Sequence, residues 1–218
     1  MATCDLILPC RDEAAALVGL LPTVPDDFAV IVVDNGSRDR TAAVARSHGA
    51  RVVTESVPGY GAAVHAGLLA ATHDYVAVMD GDGSFDPREL LPLLEDVRSG
   101  GADLAVGRRR PVRRGAWPWH ARAGNALIVG WLRRRIALPA HDIAPMRVCG
   151  RQALLGLGVE DRRFGYPVEL LQRVTRAGWR VSERDVAYHP RAEGTRSKVS
   201  GSVRGTVRTA RDFWRVLS

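Results

Sequence analysis

Two aspartates separated by a single glycine, Asp80 and Asp82, have the spacing of a small metal site. They follow the apolar run 76–79, and a short apolar run bounded by turn residues is typical of a buried strand. Alternate residues of an extended chain face the same side, so the two carboxylates converge if the chain stays extended there. Their oxygens suit Mg²⁺ or Mn²⁺, ions that also hold a diphosphate. A plain turn with aspartates as turn formers explains these residues equally well.

The elements that must position this pair alternate between strands and helices. Predicted strands cover 4–9, 30–33, 51–54, 75–79 and 104–107. Predicted helices cover 11–21, 39–48, an alanine-rich segment ending at 71, and 87–99. Continuously apolar strands indicate a parallel sheet covered on both faces. The alternation predicts an α/β fold with a doubly wound, mostly parallel sheet.

Ligands of such sheets bind beyond the carboxyl ends of the strands. The polar residues that follow the predicted strands are therefore expected at one rim. They are Arg11-Asp12-Glu13, Asp34, Gly59 to Gly61, Asp80 to Asp82, and Arg108. This convergence favours a binding site over a set of unrelated turns.

After Arg108 the chain becomes strongly basic. The stretch 108–114 holds five arginines, and its residues Pro111 and Val112 are not expected to belong to a regular element. Helices at 120–135 and 167–178, a strand following 141–147 and a strand at 180–188 come next, and a basic amphipathic helix is predicted at 202–217. We expect this part to extend the same domain, so that 1–218 is a single unit.

Composition narrows the class of protein. The 218 residues are 46% hydrophobic and carry a net charge of +7, which is globular and favours anionic partners such as phosphates, nucleotide-sugars, acidic membranes or nucleic acid. Three cysteines without a C-x-x-C pair indicate neither a disulfide framework nor a zinc site. Without a signal peptide or a long apolar span, we expect a cytoplasmic protein.

Taken together, the motifs resemble the inverting family 2 glycosyltransferases of the GT-A fold, in particular the polyprenol-phosphate (dolichol-phosphate) mannosyl- and glucosyltransferases. The matching segments are Pro9 to Glu13, Val33 to Ser37 with Asp39 and Thr41, Gly59 to Ala63, Asp80-Gly81-Asp82, Gly107 to Arg109, Phe164 to Glu169, and Arg196 to Lys198. The sequence departs from the family at Ser84, where some members have a metal-binding glutamine, and in lacking long apolar C-terminal helices.

The resemblance implies a nucleotide-sugar site at the carboxyl ends of the strands, in a nucleotide-binding half (1–108) and an acceptor-binding half (109–218). It implies that Asp82, with Asp80, holds Mg²⁺ or Mn²⁺, and that Asp82, Arg122 and Asp142 are the catalytic residues. The implied donor-binding residues are Pro9, Arg11, Glu13, Asp34, Gly59, Gly61, Asp80, Gly81, Arg108, Glu169, Arg196 and Lys198. For Glu169 capping is the structural alternative, and for Gly59 and Gly61 a simple turn.

The implied reaction moves a hexose from a UDP-glucose or GDP-mannose type donor to a polyprenyl phosphate. The alternative keeps the donor but takes a hydroxyl acceptor, for which Asp142 becomes the candidate base because a hydroxyl must lose its proton. A nucleic-acid-binding domain, suggested only by the charge, and a sugar nucleotidyltransferase, which needs a glycine-rich loop after the first strand, are less favoured. The basic last helix is expected either on the inner face of the membrane or against the domain or a second copy of the chain.

Overall fold

A computed structural model of the chain describes residues 2–192 and shows an α/β architecture. The strands are β1 (Cys4–Cys10), β2 (Phe28–Asp34), β3 (Arg51–Thr54), β4 (Tyr75–Val78), β5 (Leu104–Pro111), β6 (Met146–Gly150) and β7 (Val181–Tyr188). The helices are α1 (Ala14–Leu20), α2 (Thr41–Ser47), α3 (Tyr60–Ala70), α4 (Leu90–Arg98), α5 (Trp119–Ile136), α6 (Arg151–Gly156) and α7 (Tyr166–Arg176). The predicted helix 202–217, Arg196 and Lys198 lie outside the described residues.

Residues 2–192 form one seven-stranded sheet in the order β3-β2-β1-β4-β6-β5-β7. Only β6 is antiparallel to its neighbours, so the predicted mostly parallel sheet is confirmed. In register, Cys10 of β1 pairs with Asp34 of β2, which pairs with Thr54 of β3. The carboxyl ends of these strands therefore lie side by side, as the rim of a binding site requires.

Helices cover both faces of the sheet, which is the doubly wound arrangement. One buried cluster joins the sheet to α3, α5, α6 and α7, and the other joins it to α1, α2 and α4. Strand residues alternate between the two clusters: Ile7 belongs to the first, whereas Leu6 and Leu8 belong to the second. Burial on both faces explains why the strands read as continuous apolar runs.

Strand β5 is longer than the sequence predicts, because it continues through the arginines to Pro111. The expectation that Pro111 lies outside regular structure was therefore wrong. Strand β7 runs parallel to β5 along its whole length, from Leu104 opposite Val181 to Pro111 opposite Tyr188. Asp185 of β7 accepts hydrogen bonds from Arg108 Nε (2.6 Å) and Arg110 Nε (2.8 Å). Its carboxylate therefore offsets the positive charge of the arginines on β5. Helix α6 was not predicted from the sequence.

Helix α3 begins against the backbone of a distant loop, and two glycines make this approach possible. A Cβ atom on Gly59 would lie 2.1 Å from the carbonyl oxygen of Arg162, and one on Gly61 would lie 2.3 Å from that of Asp161. Gly59 also has φ of +155°, which disfavours any other residue. Gly61 N and Ala62 N donate to the carbonyl oxygens of Arg163 and Arg162 at 3.0 and 2.8 Å. Close packing against this loop therefore explains why both positions are glycine, whereas their contact with the donor stays a prediction.

Substituting Gly61 by alanine is expected to lower the free energy of unfolding by about 1–3 kcal/mol, the usual cost of overpacking. The clashing atoms belong to backbone, so no side-chain rotation relieves them. Urea unfolding measures the effect. Gly130→Ala in α5 is the matched control, because nothing lies within 4 Å of its added methyl group and alanine favours helix. Equal stabilities of the two variants would contradict the close packing.

Candidate active site at the carboxyl ends of the strands

Asp82 lies in a tight turn just beyond β4, and its side chain is only 8% exposed. Its Oδ1 accepts hydrogen bonds from Ser84 N at 3.0 Å and from Ser84 Oγ at 2.5 Å. Its Oδ2 lies 2.6 Å from Nε of Arg191. Ser84 thus orients the carboxylate of Asp82.

Asp80 is half-buried beside Asp82, and this surrounding disfavours its ionised form. Burial and then the charge of Asp82 raise the pKa of Asp80 to about 6, while Arg191, Arg109 and Arg147 act in the opposite direction. Two carboxylates that repel each other in a partly buried site are placed to share a cation. Gly81 between them has no room for a side chain, since a Cβ there would lie 2.4 Å from Sγ of Cys10.

Asp80→Asn is expected to stabilise the protein at pH 8, by on the order of 2 kcal/mol, because the raised pKa means that ionising Asp80 costs folding free energy. In the wild type, the protonated form of Asp80 stabilises the folded state. This stabilisation is complete below the ordinary pKa of 3.8 and is lost as the pH rises through about 6. The gain of the variant should therefore vanish towards pH 4. Urea unfolding across this range measures it.

Asp86→Asn provides a control of opposite sign. Hydrogen bonds from Arg88 lower the pKa of Asp86, so its ionised form is the one that stabilises the fold above its ordinary pKa. This variant should lose stability at pH 8 rather than gain it. A gain for Asp86→Asn, or none for Asp80→Asn, would refute the assignment.

The loops after β1 and β2 are joined to each other by side-chain hydrogen bonds. Thr41 Oγ1 accepts from Glu13 N at 2.9 Å, and Asp39 Oδ2 accepts from Ala14 N at 3.0 Å. Asp34 Oδ1 accepts from Ser37 N at 2.9 Å and so shapes its own loop. Asp39 and Thr41 therefore fix the loop after β1, where the donor-binding residues Pro9, Arg11 and Glu13 are predicted.

Asn35 connects this rim to the start of α3. Its Nδ2 donates to the carbonyl oxygens of Glu55 and Val57 at 2.9 and 2.8 Å, and its Oδ1 accepts from Gly59 N at 2.8 Å. All three bonds are to backbone, and the side chain is buried. Asn35 thus holds the loop after β3 against the loop after β2.

Arg109 is a cation held firmly near the aspartates. It forms a two-pronged ion pair with Asp142, with Nη2 2.6 Å from Oδ1 and Nε 2.9 Å from Oδ2. Asp142 also accepts from the backbone N–H of Arg109 at 2.9 Å and is 1% exposed. The guanidinium stacks on Trp117, 3.9 Å from the ring centroid, and Nη2 contacts Asn125 Oδ1 at 3.3 Å. Asp142 is thus engaged with Arg109, and its role as a catalytic residue stays a prediction.

Arg108 and Glu169 have contacts that differ from their predicted roles. Arg108 pairs with Asp185 on β7, so Arg109 is the arginine of this pair that acts on Asp80. Glu169 accepts from Glu160 N at 3.0 Å, Asp161 N at 2.6 Å and Arg173 Nε at 2.6 Å. Burial alone would raise its pKa, but these bonds bring the pKa below the ordinary value. Glu169 caps the loop that receives α3, which is the structural alternative, and its donor contact stays a prediction.

Arg147 on β6 is a buried cation that the sequence reading did not single out. It is 2% exposed, its Nη2 donates to the Tyr60 hydroxyl at 2.5 Å, and the rings of Tyr60 and Tyr166 lie 5.8 Å from its guanidinium carbon. Its charge lowers the pKa of Asp80. It adds positive charge behind the aspartates without an ion pair of its own within the described residues.

Of the other predicted residues, Arg122 is exposed on α5. The sequence pattern did not single out Arg191, which follows β7 and forms an ion pair with Asp82. The rule that polar side chains after parallel strands meet at one rim applies to β7 as well, so it places Arg191 at this rim but does not give its pairing with Asp82.

The two aspartates have the chemistry of a divalent-cation site. Hard carboxylate oxygens are the ligands that Mg²⁺ and Mn²⁺ prefer, and the repulsion that raises the pKa of Asp80 is what a cation relieves. The residues present therefore fit such an ion, with Asp82 and Asp80 as ligands. In residues 2–192 no group of three or more histidine, cysteine, aspartate or glutamate side chains is arranged to hold a metal.

Comparison with known proteins gives relatives along nearly the whole chain. An uncharacterized glycosyltransferase of Mycobacterium tuberculosis is 55% identical over 213 residues, covering 98% of this chain and 97% of the relative. A polyprenol monophosphomannose synthase of Mycolicibacterium smegmatis is 31% identical over 212 residues, covering 88% of this chain and 78% of the relative. A dolichyl-phosphate hexose transferase of Haloferax volcanii is 32% identical, covering 79% and 75%.

Solved structures agree on the fold. Glucosyl-3-phosphoglycerate synthase from Mycobacterium tuberculosis, in a complex with phosphoglyceric acid, superposes with a TM-score of 0.76 at 22% identity, covering 99% of this chain and 78% of that one. The same enzyme has been crystallised with Mn²⁺, UDP and glucosyl-3-phosphoglycerate, with a TM-score of 0.75. The expected GT-A fold is confirmed. Residues 5–149 match the family described as Glycosyl transferase family 2, and with this match the chain belongs to that family.

Proposed function

We propose that the protein is a metal-dependent inverting hexosyltransferase that uses a nucleotide-sugar donor, of the UDP-glucose or GDP-mannose type, and a polyprenyl phosphate acceptor. The donor class is supported by the acidic rim and by the UDP and UDP-glucose complexes of the fold neighbour. The acceptor class is supported by the relatives named polyprenol monophosphomannose synthase and dolichyl-phosphate hexose transferase.

The observation that carries the acceptor assignment is the engagement of Asp142. A general base must present a lone pair to the proton that it removes. Asp142 is 1% exposed and uses both oxygens to hold Arg109, so it is poorly placed for that task. A phosphate acceptor is already an anion and needs no base, and Arg109 with the exposed Arg122 supplies cations to attract it.

The reaction is an in-line displacement at the anomeric carbon. An oxygen of the acceptor phosphate forms the new bond to this carbon while the bond to the donor diphosphate breaks and the nucleoside diphosphate departs. Pro9, Arg11, Glu13 and Asp34 border the nucleotide, and Asp80 faces the sugar or ribose. A divalent cation held by Asp82, when bound, offsets the charge of the departing diphosphate.

Helix α5 carries a surface that suits a lipid acceptor. Trp119 is 80% exposed, Leu127 75% and Trp131 36%, and the three lie within about 120° around the helix axis. Exposed arginines at 133–135 end the same helix, so bulky apolar side chains and cations occur together, as on helices that lie at anionic membrane surfaces. Over residues 2–192, no helix combines the length and apolar character needed to cross a membrane.

A hydroxyl acceptor is the second candidate, favoured by the fold neighbour named glucosyl-3-phosphoglycerate synthase, which was crystallised with phosphoglyceric acid. Purified protein with Mn²⁺ should be offered radiolabelled UDP-glucose and GDP-mannose, each with a short polyprenyl phosphate, phosphoglyceric acid or free sugars. We expect label to enter the organic-soluble polyprenyl product. Transfer to phosphoglyceric acid or a sugar alone would replace the lipid acceptor by a hydroxyl, and absence of transfer and hydrolysis with every donor would refute the proposal.

A further inference from the structure

The segment 189–192, which follows β7, lies across the turn that carries Asp82. His189 N donates to the carbonyl oxygen of Ser84 at 2.9 Å, and Ala192 N donates to that of Asp82 at 3.1 Å. A Cβ on Gly83 would lie 3.3 Å from Cβ of Ala192, so the two backbones are in close contact. Arg191 is therefore held over the turn by backbone hydrogen bonds on either side of it.

The guanidinium of Arg191 occupies the outer oxygen of Asp82. Its Nε lies 2.6 Å from Oδ2, and the side chains of the pair are 29% and 8% exposed. The other oxygen, Oδ1, is taken by the backbone and hydroxyl of Ser84. Both oxygens of the predicted metal ligand are thus engaged by the chain itself.

Arg191 carries a positive charge in this pocket, because a guanidinium stays protonated in proteins. A cation of the chain therefore already lies against Asp82, where a divalent ion is predicted to bind.

We propose that Arg191 is an internal counter-cation that competes with the divalent metal ion for Asp82, so that the metal binds weakly alone and tightly only together with the donor diphosphate. This inference rests on the metal site of the proposed function. A partly buried guanidinium that loses its carboxylate is left without a partner, which opposes the exchange. A diphosphate entering with the metal offers new anionic oxygens to the released guanidinium, so the exchange becomes favourable when both bind.

The test measures Mn²⁺ binding to protein without donor, from the amplitude of the free-ion electron paramagnetic resonance signal. Arg191→Met removes the charge and keeps an unbranched apolar side chain, and Arg191→Gln is the second variant if the first unfolds. We expect either variant to bind Mn²⁺ at least about tenfold more tightly than wild type and to show a smaller gain in Mn²⁺ affinity on adding UDP. Arg180→Met, which removes an exposed pair with Asp103, is the matched control and should leave Mn²⁺ affinity unchanged.

Asp82→Asn, alone and combined with Arg191→Met, separates the two levels of the proposal. Suppose that Asp82→Asn abolishes Mn²⁺ binding in the presence of UDP, whereas Arg191→Met leaves the Mn²⁺ affinity without donor unchanged or weaker. The metal site then stands, and the competition is refuted. If Asp82→Asn changes Mn²⁺ binding in neither background, the metal site of the proposed function fails. Tighter apo binding in Arg191→Met that Asp82→Asn removes supports both.

Discussion

Asp82→Asn is expected to lower the rate of sugar transfer by at least about 10³-fold and to abolish Mn²⁺-dependent binding of the nucleotide. The physical reason is the loss of a carboxylate ligand to an ion that contributes several kcal/mol of charge stabilisation in the transition state, with each ~1.4 kcal/mol worth a factor of ten. The fold should persist, because asparagine retains the side-chain oxygen that accepts from Ser84 N. Single-turnover transfer and nucleotide titrations with and without Mn²⁺ measure the two effects.

Asp86→Asn is the matched control for activity, since this aspartate lies four residues further on, and its described side-chain bonds are with Arg88. It should retain transfer within a small factor. If Asp82→Asn retained Mn²⁺-dependent nucleotide binding, the metal would have to be held elsewhere, and the central role given to Asp82 would be wrong.

The second large effect is on stability. Asp142→Ala is expected to lower the free energy of unfolding by about 3–5 kcal/mol, because it leaves the guanidinium of Arg109, which is only 12% exposed, without its carboxylate partner. Asp142→Asn keeps the shape and loses the charge, so a smaller loss is expected. Urea unfolding followed by circular dichroism measures both.

Two further variants test this explanation. Asp103→Asn breaks an ion pair with Arg180 whose side chains are 39% and 61% exposed, and it should cost at most about 1 kcal/mol. Combining Asp142→Asn with Arg109→Met removes both charges and should restore part of the stability lost in the single variant. A loss for Asp142→Ala no larger than that of Asp103→Asn would show that the pair is not a buried one in solution.

The same variants bear on the acceptor. If Asp142 acts by holding Arg109, Asp142→Asn and Arg109→Met should weaken acceptor binding, and raising the pH should not restore transfer. If Asp142 is a base for a hydroxyl, its loss should lower turnover while donor binding persists, and Arg109→Met should have the smaller effect.

Several features of the site followed from local patterns. The strand-to-loop transitions after β1, β2 and β4 were predictable because an apolar run ending in acids and glycines has few other interpretations. The sheet rule then brought Glu13, Asp34 and Asp80 to one rim without knowledge of any distance. The extension of β5 through Arg110 was not predictable in this way, because it depends on Asp185, far along the chain, lying opposite two of its arginines.

Which acidic residue each charged side chain contacts could not be predicted from the sequence. The motif Gly107 to Arg109 contains adjacent arginines, and only the pleat of β5 assigns Arg108 to Asp185 and Arg109 to Asp142. Glu169 was predicted to contact the donor with capping as the alternative, and only the structure gives it three hydrogen bonds to the loop at 160–161 and to Arg173.

Asp80 and Asp82 illustrate the boundary most clearly. The sequence by itself determined that two carboxylates end a buried strand at the rim of a parallel sheet, because apolar periodicity and turn residues are local properties. Only the tertiary structure decided that Asp82 already carries a cation, Arg191, more than one hundred residues away along the chain. Ion pairs between distant segments depend on where the whole chain places two side chains, and spacing along the sequence contains no information about that distance.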